Sequence, residues 1–395
     1  MARAARIAFL APRFAEGATV GGAETLLRRL AERAAADGRE VAFLTTCARD
    51  HYSWANAVPA GQRRVGSLNV HFFPVDEDRD IPTFLRVQNL ICSGVRVGRA
   101  DEEAWLRNSV NSRALYRHLE TEGAGYDRIV AGPYLFGITG CAARIHPART
   151  LLVPCLHDEA FARLAIMREL FHTVRGTMFN SEPERELAER LYGALTGHVS
   201  VVGMGLESHA ESDPRAFARR QGLSAPYLAY AGRREPLKGT PILLDYLTLY
   251  RARTGRDVKL VLTGSGAIAP APDLAPHVID LGFVDEAVKH EAMAGAVAFC
   301  HPSGNESFGI VLMEAWLAGA PALVHAGGSV LPFHCRRSGG GLWFRCYPEF
   351  EAELTMLLDD TALRDRMGAA GRRYVRAEYS WEAVERRLFA ALDAD

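Results

Sequence analysis

Two carboxylates, Glu306 and Glu314, stand with seven residues between them in the run Gly304-Asn305-Glu306-Ser307-Phe308-Gly309-Ile310-Val311-Leu312-Met313-Glu314. The small-residue turn between them leads into a stretch that reads as the start of a helix. A helix start presents N–H groups without intrahelical acceptors and a partial positive charge, so it suits an anion. Gly309 lets backbone come close to a ligand. A carboxylate on either side can accept hydrogen bonds from hydroxyls. Phosphate beside polyol is the chemistry of a nucleotide sugar.

A second charged loop reads Ala231-Gly232-Arg233-Arg234-Glu235-Pro236-Leu237-Lys238-Gly239-Thr240. Arg233 and Lys238 can both face a diphosphate, the first as a planar fork and the second as a point charge. A P-loop is excluded, because Leu237 stands where that motif has glycine. Gly264 and Gly266 end another apolar run in a tight turn. Gly21 and Gly22 precede a helical stretch and again offer N–H groups at a helix start. His157, with Asp158 and Glu159 beside it, closes one apolar run, and Asn180 closes the next.

These residues need strands to hold them. Apolar runs at 7–11, 41–45, 70–75, 128–131, 151–155 and 177–180 alternate with helical stretches such as 24–37. A second set follows at 227–231, 259–263, 278–281, 297–301 and 321–324. Such alternation predicts parallel sheets with helices on both faces. In open sheets of this kind ligands bind beyond the carboxyl ends of the strands, where the charged loops fall. Two sets predict two doubly wound α/β domains, with the change-over at 201–207, where paired glycines suit a hinge. Segment 76–107 is the least regular and reads as a surface loop or a small helical lid.

A chain of 395 residues can bury two separate cores. Its net charge of −1 excludes the basic excess of a nucleic-acid protein. Seven scattered cysteines, odd in number and without a CxxC pair, read as reduced thiols in a cytoplasmic protein and not as disulfides or a zinc site. No run is long and apolar enough to span a bilayer, which leaves peripheral contact as the most a membrane could make. Only three lysines occur, Lys238, Lys259 and Lys289.

The Glu306–Glu314 run resembles the Glu-x7-Glu motif of GT4 retaining glycosyltransferases, and the Arg233–Lys238 loop resembles that family's Gly-Arg-x4-Lys-Gly pattern. The resemblance is strongest over 226–325. It implies a GT-B fold of two Rossmann-like domains facing across a cleft. Residues 1–204 would form the acceptor side and 205–377 the nucleotide-sugar side, with 378–395 crossing back to the first. It assigns Arg233 and Lys238 to the donor diphosphate, Glu306 and His157 to the donor sugar, and Glu314 to the ribose. Gly232, Gly264, Gly266, Ser307, Phe308, Gly309 and Ile310 join the donor site, as do Phe283 and Val284, where backbone passes the nucleobase. Gly21 and Gly22 face the diphosphate and acceptor; Asp158, Glu159 and Asn180 fall on the acceptor side, with Asp158 or Glu159 orienting His157 or touching the acceptor.

The implied reaction moves a hexose from a UDP- or other NDP-sugar to the hydroxyl of a glycan, lipid-linked or small-molecule acceptor, with retention and without a metal or other cofactor. Another GT-B-type enzyme, a phosphorylase or nucleotide-sugar epimerase, and a non-catalytic sugar-nucleotide-binding homologue are the alternatives. A NAD-binding oxidoreductase lacks its Gly-x-Gly-x-x-Gly after the first run. Asp76-Glu77-Asp78-Arg79-Asp80 has the look of a GT-A metal clamp, but Arg233 and Lys238 already provide the countercharge. After Gly327-Gly328 the chain departs from the family pattern at 329–335, which implies a different loop near the donor sugar.

Overall fold

The computed structural model describes residues 4–16, 21–207 and 213–394. The chain divides into two compact units, Met1–Met204 with Glu385–Asp395, and Gly205–Val384.

The first unit is built on strands β1 (Arg6–Leu10), β2 (Glu40–Thr46), β3 (Gly61–Val65), β4 (Leu68–Phe73), β5 (Arg128–Ala131), β6 (Thr150–Leu152), β7 (Gly176–Phe179) and β8 (His198–Val201). They form one eight-stranded sheet in the order β3-β4-β2-β1-β5-β6-β7-β8. Every pair is parallel except the β3–β4 hairpin at the edge. The order reverses between β1 and β5, the switch point of a doubly wound sheet.

The second unit holds β9 (Tyr227–Ala231), β10 (Lys259–Thr263), β11 (Val278–Asp280), β12 (Ala298–His301), β13 (Ala322–His325) and β14 (Gly341–Phe344). All are parallel, in the order β11-β10-β9-β12-β13-β14, with the reversal between β9 and β12. Both faces of this sheet are covered. Leu228 and Tyr230 of β9 pack into one core, while Tyr227, Ala229 and Ala231 pack into another. That is the period-2 alternation of a strand buried on both sides, and it explains why its sequence is apolar throughout.

Segment 76–107 is helical, not a surface loop. It carries the helices Ile81–Cys92 and Arg99–Asn108, whose Val87, Ile91, Trp105 and Leu106 lie in the core of the first unit. Trp105 stacks on Phe84 and Phe161. The acidic run is used structurally. Asp80 caps the first of these helices by accepting from the Thr83 N–H at 3.0 Å. Asp78 pairs with Arg113 at 2.7 Å, and Asp76 accepts from the Arg113 N–H at 3.1 Å.

The last helix, Trp381–Asp393, begins in the second unit and ends in the first. Tyr379 and Ser380 are held to the second unit by Leu206, whose N–H donates to the Tyr379 carbonyl at 2.8 Å. The return therefore starts at Glu385 rather than at 378. Within the first unit Asp393 pairs with Arg39 at 2.8 Å. The Ala394 carbonyl accepts from Arg128 at 2.7 Å and from Arg175 at 2.8 Å. Among the described residues no helix is long and apolar enough to cross a membrane. All seven cysteines are free thiols.

Candidate active site

The charged loops of the second unit leave β9 and β12, the two neighbouring strands at its switch point. Backbone bonds tie the strand ends together. The Gly232 N–H donates to Thr263 O at 3.0 Å, Arg234 N–H to Ser265 O at 2.8 Å, and Gly264 N–H to Gly282 O at 2.7 Å. Gly264 sits at φ +117°, and a Cβ there would lie 2.1 Å from Gly232 O, so the close approach requires glycine. Gly266 also has positive φ, at +106°. The paired arginines divide their work. Arg234 turns inward, donating to Gly266 O and to Asp280 at 2.8 Å each, while Arg233 stays half-exposed, 3.1 Å from Glu235. The Arg234–Asp280 brace escaped sequence reasoning because its acid lies on another strand.

Lys238 ends a short turn whose Gly239 is left-handed and lies against Pro302, leaving no room for a Cβ (2.2 Å from Pro302 O). This brings Lys238 Nζ to 2.6 Å from Glu306 Oε1. His301, at the end of β12 and buried, places Nε2 3.7 Å from the same oxygen. Gly309, at φ +85°, caps the helix Ile310–Ala318. Phe308 is anchored in the core, edge-on to Tyr379 at 4.9 Å and to His334 at 5.8 Å, so its side chain serves packing.

Glu314, on that same helix, meets Lys289 from the helix Glu286–Ala294 at 2.8 Å; Glu286 lies 2.7 Å from the same ammonium. Burial pushes the Glu314 carboxyl above its ordinary range against the pull of Lys289. Burial also opposes the charge on Lys289, but Glu314 and Glu286 outweigh it and raise its pKa. Glu286, His290 and Glu314 bring ligand atoms within 4.8 Å of one another, beside an ammonium that already pairs with both carboxylates. Each motif glutamate is thus held by one of the chain's three lysines. Lys289 was missed; its signal was the scarcity of lysine itself. Of the nucleobase pair, Phe283 stands exposed and Val284 is half-buried.

The segment after Gly327-Gly328 is not a loop but the helix Val330–Ser338. Its His334 is buried and bonded through Nδ1 to the Tyr374 hydroxyl at 2.9 Å. A Cβ on Gly328 would lie 2.2 Å from Gly304 O, so the helix start is pressed against the Glu306 loop.

Both histidines bear on pH. Burial pulls His301 down to about 4, opposed by Glu306 and aided by Lys238. Burial pulls His334 down to about 3, with Arg337 adding to the fall. The unfolded chain takes up these protons near pH 6.5 and the folded chain does not. Their stability contribution is present above about pH 6.5 and is lost as pH falls towards 4. At about 1.4 kcal/mol per unit, His301 alone accounts for about 3 kcal/mol. The urea midpoint should drop over that window, and His301→Gln should flatten the drop; an unchanged slope would contradict it.

In the first unit Gly21 caps the helix Gly22–Ala36, and Glu24 within it is buried in an ion pair with Arg13 at 2.6 Å. A Cβ on Gly21 would meet Glu24 Oε2 at 2.7 Å. His157, Asp158 and Glu159 follow β6. Asp158 pairs with Arg163 at 2.6 Å, and Glu159 accepts from the Tyr134 hydroxyl at 2.6 Å. Asn180, at the end of β7, is buried and donates to Cys155 Sγ at 3.5 Å.

The overall architecture has relatives among solved structures. Sucrose-phosphate synthase from Thermosynechococcus elongatus superimposes with a TM-score of 0.71 at 18% identity, covering 98% of this chain and all of that one. Anabaena Alr3699/HepE in complex with UDP and glucose gives 0.68 at 18% identity, covering 99% and 100%. The fold is that of the GT-B glycosyltransferases. In sequence, residues 215–374 match the family model of glycosyl transferases group 1. The D-inositol 3-phosphate glycosyltransferase of Corynebacterium glutamicum is 28% identical over 340 residues, 77% of this chain and 80% of that one. The phosphatidyl-myo-inositol mannosyltransferase of Mycobacterium tuberculosis is 36% identical over 200 residues, 47% of this chain and about half (51%) of its own length. Residues 215–374, within the second unit, thus match a group 1 glycosyltransferase domain, and both of these relatives are named as sugar transferases.

Proposed function

We propose that the chain transfers a hexose from a nucleoside-diphosphate donor to an acceptor hydroxyl, with retention of anomeric configuration and with protein cations in place of a metal ion. The observation that carries this reading is the Lys238–Glu306 pair at 2.6 Å, beside the start of the helix Ile310–Ala318. On donor binding Lys238 and Arg233 engage the diphosphate, and the helix start adds N–H groups. Glu306 then turns to the sugar hydroxyls and Glu314 to the ribose, while Gly232, Gly264 and Gly266 let backbone approach the ligand. His157, in the first unit, is assigned to the sugar hydroxyls by resemblance, and Asp158, Glu159 and Asn180 to the acceptor side.

The bond from the anomeric carbon to the phosphate oxygen breaks, and the acceptor oxygen bonds that carbon on the same face. The acceptor's proton passes to the departing phosphate. Stabilising the charge that develops on the leaving group is the main task, and preorganised donors of this kind contribute about 3–4 kcal/mol each. The names of the relatives favour an inositol-type polyol acceptor, free or on a lipid headgroup. HepE, solved with UDP and glucose, favours UDP.

Thermal denaturation with UDP, GDP, ADP and dTDP tests the donor site in wild type and Glu314→Ala, each against its own baseline. A nucleotide at about 100 times its dissociation constant adds about 2.7 kcal/mol. One nucleotide should shift the wild type and fail to shift the variant. No shift with any of the four would overturn the donor-site reading.

A further inference from the structure

One buried acid joins two strand ends of the first unit. β6 and β7 are neighbours, and His157 and Asn180 follow their ends. Between β6 and His157 the chain turns at Cys155, a non-glycine residue at φ +51°. This left-handed conformation costs about 1–2 kcal/mol and persists only where the surroundings enforce it. Here the enforcement is visible. The Leu156 N–H, one residue before His157, donates to Glu184 Oε1 at 2.5 Å, and the Asn180 N–H donates to Glu184 Oε2 at 2.6 Å. On the other side of the turn the Tyr134 N–H donates to Pro154 O at 3.0 Å.

Glu184 is the third residue of the helix Glu182–Tyr192, capped by Ser181, whose hydroxyl accepts the Glu184 N–H at 3.3 Å. The spacing Ser-x-x-Glu is that of a capping box, in which the acid serves the N–H of its own cap. Glu184 also has the Ser181 N–H as a partner, and beyond that pattern it reaches into the loop of the neighbouring strand. It is 1% exposed, and burial pushes its carboxyl up to about 8. Helix capping alone does not call for the two further bonds to Leu156 and Asn180.

We propose that Glu184 is a positioning residue for His157: it locks the 155–157 turn against the end of β7 and so sets where the imidazole stands. This rests on the assignment of His157 to the sugar hydroxyls. The test is a double-mutant cycle in the full chain with Glu184→Gln, His157→Ala and the combination, reading kcat, donor KM and the nucleotide-induced thermal shift. Glutamine keeps one acceptor oxygen and sets an NH2 against the other N–H. A misplacement of about 1 Å costs up to about 10²-fold, so Glu184→Gln should lower kcat by about tenfold or more. The thermal shift induced by the nucleoside diphosphate alone, which carries no sugar for His157 to hold, should stay at its wild-type value. In the His157→Ala background Glu184→Gln should cost nothing further.

A loss that multiplies with that of His157→Ala would overturn the proposal, as would full activity in Glu184→Gln beside a slow His157→Ala. Full activity in His157→Ala would remove the assignment of His157 and this inference with it. If Glu184→Gln does not fold, Glu184→Asp, too short to reach both N–H groups, is carried through the same cycle with the same outcomes.

Discussion

Lys238→Ala should lower the rate of sugar transfer by about 10²–10³-fold, as removal of one preorganised charge donor does, in a chain that stays folded. Lys238 lies in the loop after the switch-point strand β9, 2.6 Å from Glu306, and in the proposed reading it turns to the diphosphate when a donor binds. The variant loses that cation when charge builds on the departing diphosphate. It also leaves Glu306 beside a neutral, buried His301 with no lysine to balance it. The two losses can be separated. Adding Glu306→Gln to Lys238→Ala should recover stability and leave the rate low. Lys238→Arg should rescue only in part, because a planar fork on a different stem does not reproduce a compact ammonium. Single-turnover rates with saturating donor give the numbers. Wild-type turnover by Lys238→Ala would remove Lys238 from the leaving-group site.

The second large effect is on stability. Lys289→Ala should destabilise the second unit by about 3 kcal/mol, the scale for breaking a buried pair on one side. Glu314 and Lys289 are only 14% and 15% exposed. Truncating the lysine leaves the Glu314 carboxylate largely out of water and Glu286 without its ammonium. Lys289→Ala combined with Glu314→Gln should regain much of the loss, since a neutral amide is far cheaper to bury than an unpaired charge. The chain has two compact units, so unfolding is not assumed to be a single step, and the measurement is the urea transition of the second unit. A shift smaller than about 0.5 kcal/mol, the range of ordinary surface changes, would show that the pair is screened by solvent.

Different parts of this molecule were legible in the sequence to different degrees. β9 reads Tyr227-Leu228-Ala229-Tyr230-Ala231 and is buried on both faces, so an unbroken apolar run announced it. β3 reads Gly61-Gln62-Arg63-Arg64-Val65 and lies at the sheet edge with largely exposed side chains, so no periodicity marked it. The helices of segment 76–107 were read only as one of two alternatives, for a different reason. Asp80 before Ile81-Pro82 is a helix-start signal, but the run of acids around it reads equally as a solvated loop. The helix Arg99–Asn108 buries only Glu102, Trp105 and Leu106.

The donor-side motifs were visible because each directly follows a strand and pairs charge with glycine. Their partners were not, because Lys289 reaches Glu314 and Asp280 reaches Arg234 from separate elements. Glu184 was hidden for the same reason. A capping box is local, but its reach to Leu156 spans 28 residues of sequence.

The helix Trp381–Asp393 has a consequence for how the chain is made. A ribosome releases the first 204 residues well before the residues from Glu385 onward that complete the same unit. Until they emerge, Arg39 lacks Asp393, and Arg128 and Arg175 lack the Ala394 carbonyl. These contacts of the first unit therefore form only after the whole second unit has been synthesised.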